Sequence, residues 1–104
     1  MLASYSLTVG GRPSGVHKTL SGTTADTVTV DATTTSARGV IKNRSTATIY
    51  ARFDGSAAVA AADGTVPVGA GESFEFYIGS GNCAISIVGS GDAYSVVAIP
   101  YGSW

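Results

Sequence analysis

Three Gly-x-Gly triplets, spaced ten residues apart, divide the last third of the sequence into short segments. They occupy residues 69–71, 79–81 and 89–91, with seven residues between successive triplets. Seven residues at about 3.3 Å each form a strand of roughly 23 Å, a usual length for a small sheet. Glycine supplies the positive φ that short hairpin loops require. The spacing therefore predicts hairpin-linked consecutive strands, a β-meander over residues 69–101.

Strands are also predicted before the meander, wherever apolar and polar residues alternate. Strands are predicted at residues 26–31, 38–43 and 46–53, short strands are the interpretation of residues 4–9 and 17–20, and residues 66–68 are a brief extended segment. The alanine-rich residues 56–62 are interpreted as a loop or a short edge strand rather than a helix. Seven to eight short strands with frequent glycine turns predict an all-β fold, an antiparallel β-sandwich or jelly roll. Residues 17–104 form this domain, and the glycine- and proline-containing residues 1–16 are predicted to form an extended N-terminal arm.

The last predicted strand is apolar on both faces. Val97, Ile99 and Tyr101 alternate with the apolar residues of the other face. A strand with one face in water would carry polar residues at every second position. We therefore expect its second face to be covered by the other sheet, by the arm or by another subunit.

Composition argues against several classes of function. Charged residues make up 12% of the chain, about half the usual share, and the net charge of −1 includes no basic cluster. Nucleic-acid binding is therefore not expected, since it depends on clustered Lys and Arg. No apolar run reaches the length of a membrane span, and the N-terminus lacks the pattern of a signal peptide. A surface this poor in charge suits a protein that functions within an assembly.

No group of residues indicates an enzyme or a cofactor site. His17 is the only histidine and Cys83 the only cysteine, so a His–Cys dyad and a cysteine-based zinc site both have little support. The carboxylates Asp54, Asp63 and Asp92 fall at turns, where Asp is favoured for local hydrogen bonding. The alternative is a calcium site built from Asp54, Asp63 or Asp92 plus carbonyl oxygens. Aromatic residues on strand faces are interpreted as core or subunit-interface residues, with sugar stacking as the alternative. The candidates for sugar stacking are Tyr50, Tyr77, Tyr94, Tyr101 and Trp104.

Residues 43–99 resemble small structural proteins of tailed bacteriophages. The similarity lies in an "N-x-S…IY-x-x-F-D-G" strand and turn, a "P…G-E" turn and a closing "I-S-I-x-G-x-G…V" hairpin. The matching residues are Asn43, Ser45, Ile49, Tyr50, Phe53, Asp54, Gly55, Pro67, Gly71, Glu72, Ile85, Ile87, Gly89 and Val97. The resemblance covers a little over half of the chain, and residues 1–42 do not share it. It implies a virion β-sandwich or jelly roll, often trimeric, whose commonest role is to decorate or cement the capsid.

We therefore predict a non-enzymatic virion protein, made in the host cytoplasm and located on the capsid surface. It would assemble as a homotrimer and bind the major capsid protein, without cofactor, nucleic acid or membrane. The predicted interface residues are Tyr50, Arg52, Val97, Ile99, Tyr101 and Trp104. Two alternatives are a carbohydrate- or receptor-binding module of a tail or fibre, and a head–tail connector or adaptor component.

Overall fold

The computed structural model describes residues 3–9, 14–32, 36–79 and 81–100. These residues form nine strands and no helix, so the described chain has no helical segment that could cross a membrane. The strands are β1 (Ser4–Thr8), β2 (Ser14–Thr19), β3 (Asp26–Ala32), β4 (Ala37–Asn43), β5 (Ile49–Arg52), β6 (Val66–Val68), β7 (Ser73–Ile78), β8 (Gly81–Val88) and β9 (Ala93–Pro100). The predicted all-β class is confirmed.

The strands form two sheets that enclose one core. The five-stranded sheet has the order β1-β3-β8-β5-β6, and the four-stranded sheet has the order β2-β9-β4-β7. All pairings are antiparallel except the parallel pair β1–β3. Inward residues alternate with outward ones, as in β3, where Val28 and Val30 are fully buried. The predicted sandwich, with jelly-roll character, is therefore confirmed.

The predicted β-meander is wrong. β7 and β9 belong to the four-stranded sheet, whereas β8, which lies between them in sequence, belongs to the five-stranded sheet. The glycine triplets at 79–81 and 89–91 therefore connect the two sheets instead of forming hairpins. Gly81 and Gly91 do have positive φ, so the need for glycine is real, but the connection type differs. Because successive strands lie in opposite sheets, their inward apolar residues enter the core from its two sides. Phe76 of β7 and Ile85 of β8 are examples.

The predicted N-terminal arm also differs from the structure. β1 pairs with β3, and β2 pairs with β9, so the proposed boundary at residue 16 falls inside a strand. Leu7 and Val9 are each only 2% exposed, because the alternation of this segment turns them into the core. The described residues of the segment therefore belong to the sandwich, while residues 1–2 and 10–13 lie outside the described part of the chain.

The segment between β5 and β6 is a loop, as one of the two interpretations of residues 56–62 predicted. It folds back over the outer surface of the five-stranded sheet, where the backbone N–H of Ala58 donates to Ser86 Oγ at 2.8 Å. Ala58 is buried there with Ala25 and Val88, in a small cluster against which Tyr50 packs. Although alanine has a high helix propensity, these contacts hold the alanine-rich segment in an irregular conformation.

Asn43 links three parts of the chain at the end of β4. Its Nδ2 donates to the carbonyl oxygens of Ala47 at 2.7 Å and Val68 at 2.9 Å. Its Oδ1 accepts from the backbone N–H and the hydroxyl of Ser45, at 2.9 and 2.7 Å. The Asn43 side chain is fully buried. The Asn-x-Ser pattern therefore joins β4 to the following turn and to β6, which requires an amide with both donors and an acceptor.

A buried hydrogen bond connects Tyr94 of β9 to Asp26 of β3 across the core. The Tyr94 hydroxyl donates to Asp26 Oδ2 at 2.8 Å, and the two residues are 0% and 2% exposed. Burial, followed by the hydrogen bond to Asp26, raises the pKa of Tyr94 well above its usual range. The pair thus ties the two sheets together through a bond that water cannot replace.

Replacing Tyr94 with Phe should lower the free energy of unfolding by about 1–3 kcal/mol, because Asp26 would lose its buried donor. The raised pKa adds a test of pH dependence. The folded state holds the phenolic proton more tightly than the unfolded state, so this stabilisation is complete below about pH 10 and is lost as the pH rises further. Urea unfolding at neutral and at alkaline pH should show that the free energy of unfolding falls less with rising pH in the Phe variant than in the parent protein. Equal alkaline losses in the two proteins would contradict the assignment.

Candidate functional site

The outer surface of the four-stranded sheet combines apolar and charged side chains. In β9, Tyr94, Val96 and Ala98 are buried, so Val97 and Ile99 point to the opposite side and are only half-buried. The outward residues, which we call the four-strand face, are His17, Arg38, Val40, Lys42, Arg44, Glu75, Tyr77, Ser95, Val97 and Ile99. This face contains two of the predicted interface residues.

The centre of the four-strand face is apolar. Val40 of β4 lies directly opposite Val97 of β9, and Ile99 lies in the next outward row, opposite Arg38. Sequence analysis identified Val97 and Ile99 but missed Val40. The signal was present in β4, where Gly39 and Ile41 face inward and Val40 between them must face outward.

An ion pair and a tyrosine border this centre on the β7 side. Arg38 Nε lies 3.6 Å from Glu75 Oε2, and the hydroxyl of Tyr77 donates to Glu75 Oε1 at 2.6 Å. The hydrogen bond to Glu75 raises the pKa of Tyr77. Tyr77 is 72% exposed, so its ring is held at the surface by a bond at its polar end. Such a ring can pack against a partner with little further loss of side-chain freedom.

Basic groups border the centre on the other side. Arg44 Nε donates to Ser95 Oγ at 2.7 Å, and Arg44 Nη2 donates to the carbonyl oxygen of Tyr94 at 3.1 Å. Lys42 lies opposite Ser95 on the neighbouring strand, and its ammonium group donates to the carbonyl oxygen of Gly71. Among the described residues of this face, Glu75 is the one carboxylate beside three cations. The residues of this face therefore carry a positive net formal charge around an apolar centre.

His17 and Ser95 form a pair that resembles a base and a hydroxyl nucleophile. His17 Nδ1 lies 2.7 Å from Ser95 Oγ. However, Ser95 is only 4% exposed, and its hydroxyl oxygen also accepts the bond from Arg44. Burial and the bond from Arg44 leave this oxygen little exposed surface, and the His17–Ser95 contact links β2 to β9 on the outer side of the sheet.

The His17–Cys83 dyad considered from sequence is not formed. His17 lies on the four-strand face, whereas Cys83 lies in β8 of the other sheet and packs against the core. Burial raises the pKa of the Cys83 thiol, which disfavours the thiolate that a nucleophile needs.

Tyr50 and Arg52 lie on the opposite side of the sandwich from Val97 and Ile99. Arg52 makes two hydrogen bonds to Asp54, from Nε at 2.7 Å and from Nη2 at 2.8 Å. These bonds, with a further one from the backbone N–H of Ser56, lower the pKa of Asp54 to about 2. The structure therefore does not bring the predicted interface residues together on one surface. Tyr101 and Trp104 lie outside the described residues.

The outer surface of the five-stranded sheet contains a shallow depression. Its volume is about 160 Å³. The lining residues are Thr27, Gly55, Ser56, Ala57, Ala84 and Ser86. None of these side chains titrates, so the depression offers no acid, base or charged ligand.

The acidic side chains do not converge on a metal site in the described chain, where no three His, Cys, Asp or Glu residues are close enough to hold an ion. Asp54, Asp63 and Asp92 therefore do not form a joint calcium site in the described chain. A calcium site that combines one of them with carbonyl oxygens stays a hypothesis from the sequence. Asp92 instead accepts a bond from the backbone N–H of Ser90 at 2.8 Å, the local role expected of Asp at a turn.

Comparisons with known proteins add information on the fold alone. Neither a family model nor a curated protein matches the sequence. The fold is similar to PliG of Aeromonas hydrophila, a periplasmic inhibitor of g-type lysozyme, with a TM-score of 0.56, 13% identity, and coverage of 95% of this chain and 98% of that chain. It is also similar to a de novo designed double-stranded β-helix, with a TM-score of 0.54, 15% identity, and coverage of 82% and 95%.

A third similar structure comes from the disulfide-linked pili of Bacillus endospore appendages, with a TM-score of 0.54, 19% identity, and coverage of 90% and 89%. The roles of these proteins are as different as enzyme inhibition and assembly of a fibre. At such low identity they establish a common architecture and no common activity. The chain thus has the fold of a β-sandwich of the double-stranded β-helix type.

Proposed function

We propose that this chain is a structural protein of a phage virion that decorates or cements the capsid surface. The observation that carries the proposal is the four-strand face, with Val40, Val97 and Ile99 at its centre and charged groups around them. A rigid sheet surface of this kind fits a protein partner better than a small substrate, which needs a concave site. The resemblance of residues 43–99 to small phage structural proteins supplies the virion context.

The mechanism we propose is mechanical and non-enzymatic. Each copy would bury the apolar centre of the four-strand face against the shell. At about 25 cal/mol per Å², a few hundred Å² of apolar contact contributes several kcal/mol before the cost of association. Repetition of the contact among linked copies raises the effective affinity, so a modest single contact can still reinforce a capsid.

The charges of the face indicate the chemistry of its partner. Arg38, Lys42 and Arg44 would meet one another if two identical faces were pressed together, and Glu75 alone would oppose them. An acidic surface with an apolar centre is therefore the complementary partner. We propose that the major capsid protein supplies this surface, and that copies of the chain contact one another elsewhere within a homotrimer.

Replacing both Val97 and Ile99 with Ser tests the proposed face. Both residues are half-buried on the outer side of β9, so the variant should fold and lose most of its binding to capsid shells, measured by co-sedimentation. A matched control is Thr29→Ser with Ala84→Ser, because these two residues face each other at half-buried outward positions of the five-stranded sheet. The control should bind normally. Undiminished binding of the Val97/Ile99 variant would refute the face.

The mass of the purified protein in solution tests the assembly. A homotrimer should be three times the chain mass of 10.4 kDa. A larger ring would instead favour a head–tail connector, since ring symmetry is the usual form of such an assembly.

A second candidate function rests on Tyr77. Its ring is 72% exposed and fixed by the bond to Glu75, and an exposed aromatic beside charged groups can stack on a sugar. This favours a carbohydrate- or receptor-binding module of a tail or fibre. Glycan-array binding that is lost on Tyr77→Ala would support it, whereas a blank array would leave capsid decoration as the better proposal.

A further inference from the structure

The four-stranded sheet ends at β7, and in the described chain β7 pairs with β4 alone. The other side of β7 therefore presents backbone N–H and C=O groups that no other strand of the described residues uses. An edge of this kind is a template for pairing with another chain. We propose that two copies of this protein join along β7, in antiparallel orientation, so that their four-stranded sheets become one continuous sheet across a twofold axis.

β7 lacks the features that usually protect an edge. The edge strand β6 of the other sheet is only three residues long and contains Pro67, which cannot donate a backbone hydrogen bond. By contrast, β7 has six residues with no Lys, Arg or Pro, and it pairs with β4 without a bulge. Its one charged residue, Glu75, points outward beside Arg38, so it opposes pairing only in a register that sets it against Glu75 of the second copy.

Alternation along β7 limits the registers in which two copies can pair. Ser73, Glu75 and Tyr77 face outward, while Phe76 and Ile78 face inward. In an antiparallel pair, residues directly opposite each other lie on the same face of the sheet. Outward residues must therefore oppose outward residues, which excludes every second register.

Two registers near the middle of β7 remain, and they differ in whether the two Glu75 side chains lie opposite each other. One would place Glu75 opposite Glu75 of the second copy, and like charges directly opposite each other destabilise a strand pair. The other centres on Phe76 and places Glu75 opposite Tyr77 of the second copy. It also sets the half-buried Phe74 opposite Ile78 of the second copy, which adds apolar contact. The proposal is the second register.

This contact goes beyond the proposed function and does not depend on it. A twofold axis perpendicular to the joined sheet keeps both four-strand faces on the same side. The pair would then present twice the surface to any partner, which raises its effective affinity. In a capsid, such a contact would link one oligomer to the next.

Disulfide trapping tests the contact while Glu75 stays in place. In the proposed register, Ser73 lies opposite Gly79 of the second copy, at a Cα separation that a disulfide can bridge. A Cβ atom added at Gly79 would meet no other atom within 4 Å, and the φ of Gly79 is not positive, so this position accepts a side chain. A mixture of the single variants Ser73→Cys and Gly79→Cys, each with Cys83→Ala, should form a covalent dimer under mild oxidation. Neither variant alone should do so.

Two controls make the result decisive. A mixture of Gly79→Cys with Thr46→Cys, an exposed loop position, measures random collision and should not cross-link. A mixture of Ser73→Cys with Tyr77→Cys reports the rejected register. Cross-linking of that mixture instead, or of none above the collision control, would overturn the proposal. Because Val97 and Ile99 lie two strands away from β7, their Ser variant should cross-link normally, so the two proposals fail separately.

Discussion

Replacing Gly39 with Ala should lower the free energy of unfolding by about 3 kcal/mol, within the range of severe overpacking. Gly39 lies in β4 directly opposite Phe76 of β7, and the phenylalanine ring covers its backbone. A Cβ atom at residue 39 would lie 2.1 Å from Phe76 Cζ and 2.4 Å from Cε2, far inside van der Waals contact. The ring would have to leave its place beside Phe53, whose ring centre is 5.3 Å away.

Urea unfolding followed by far-ultraviolet circular dichroism measures the loss. Gly79→Ala is the matched control, since nothing lies near its added methyl group and its φ is not positive. That substitution should be neutral or should stabilise by up to about 1 kcal/mol. Combining Gly39→Ala with Phe76→Leu should recover part of the loss because the smaller side chain leaves room. If Gly39→Ala is as stable as the control, the close packing of Phe76 on Gly39 is wrong.

Replacing Asn43 with Asp should also be severe, with an expected loss of about 3 kcal/mol at neutral pH. The two side chains have nearly the same shape, so the change isolates the hydrogen bonds. Asp cannot donate to the carbonyl oxygens of Ala47 and Val68, and its charged oxygen would face both of them in a fully buried position. The two carbonyl oxygens would lose their hydrogen-bond donor, and the buried carboxylate would have no positive partner.

The same substitution at Asn82 is the control, because Asn82 is exposed and a carboxylate there stays hydrated. Its effect should stay below about 1 kcal/mol, even with Asp31 opposite on β3. The Asn43→Asp loss should shrink when acid protonates the new carboxyl group, since a neutral acid can donate one of the two missing bonds. Chemical denaturation at neutral and acidic pH would show this. A loss that does not change with pH would count against a buried carboxylate.

The candidate site was only partly predictable from sequence. Val97 and Ile99 were identified because β9 is apolar on both faces, and the structure does turn them outward. Tyr50 and Arg52 were predicted for the same interface from their outward positions in β5. They lie on the other sheet, where Tyr50 packs against Ala58 of the 53–65 loop and Arg52 binds Asp54. The sequence can show that a residue points outward from its strand, but it does not show to which of the two outer surfaces the residue belongs. Val40 and the Arg38–Glu75–Tyr77 contacts needed the pairing of β4 with β7 and β9.

Sequence alone determined that the chain forms short strands and, where polar and apolar residues alternate, which side of a strand faces inward. Alternation has a period of two and depends only on neighbouring residues, so it can be recognised without the fold. The buried Val28 and Val30 of β3 follow from that rule. Only the tertiary structure decided that β7, β8 and β9 cross between sheets rather than form a meander. A hairpin and a crossing need the same glycines and bury the same side chains. The choice between them depends on which distant strands supply the backbone partners, here β3 and β5 for β8 and β2 and β4 for β9.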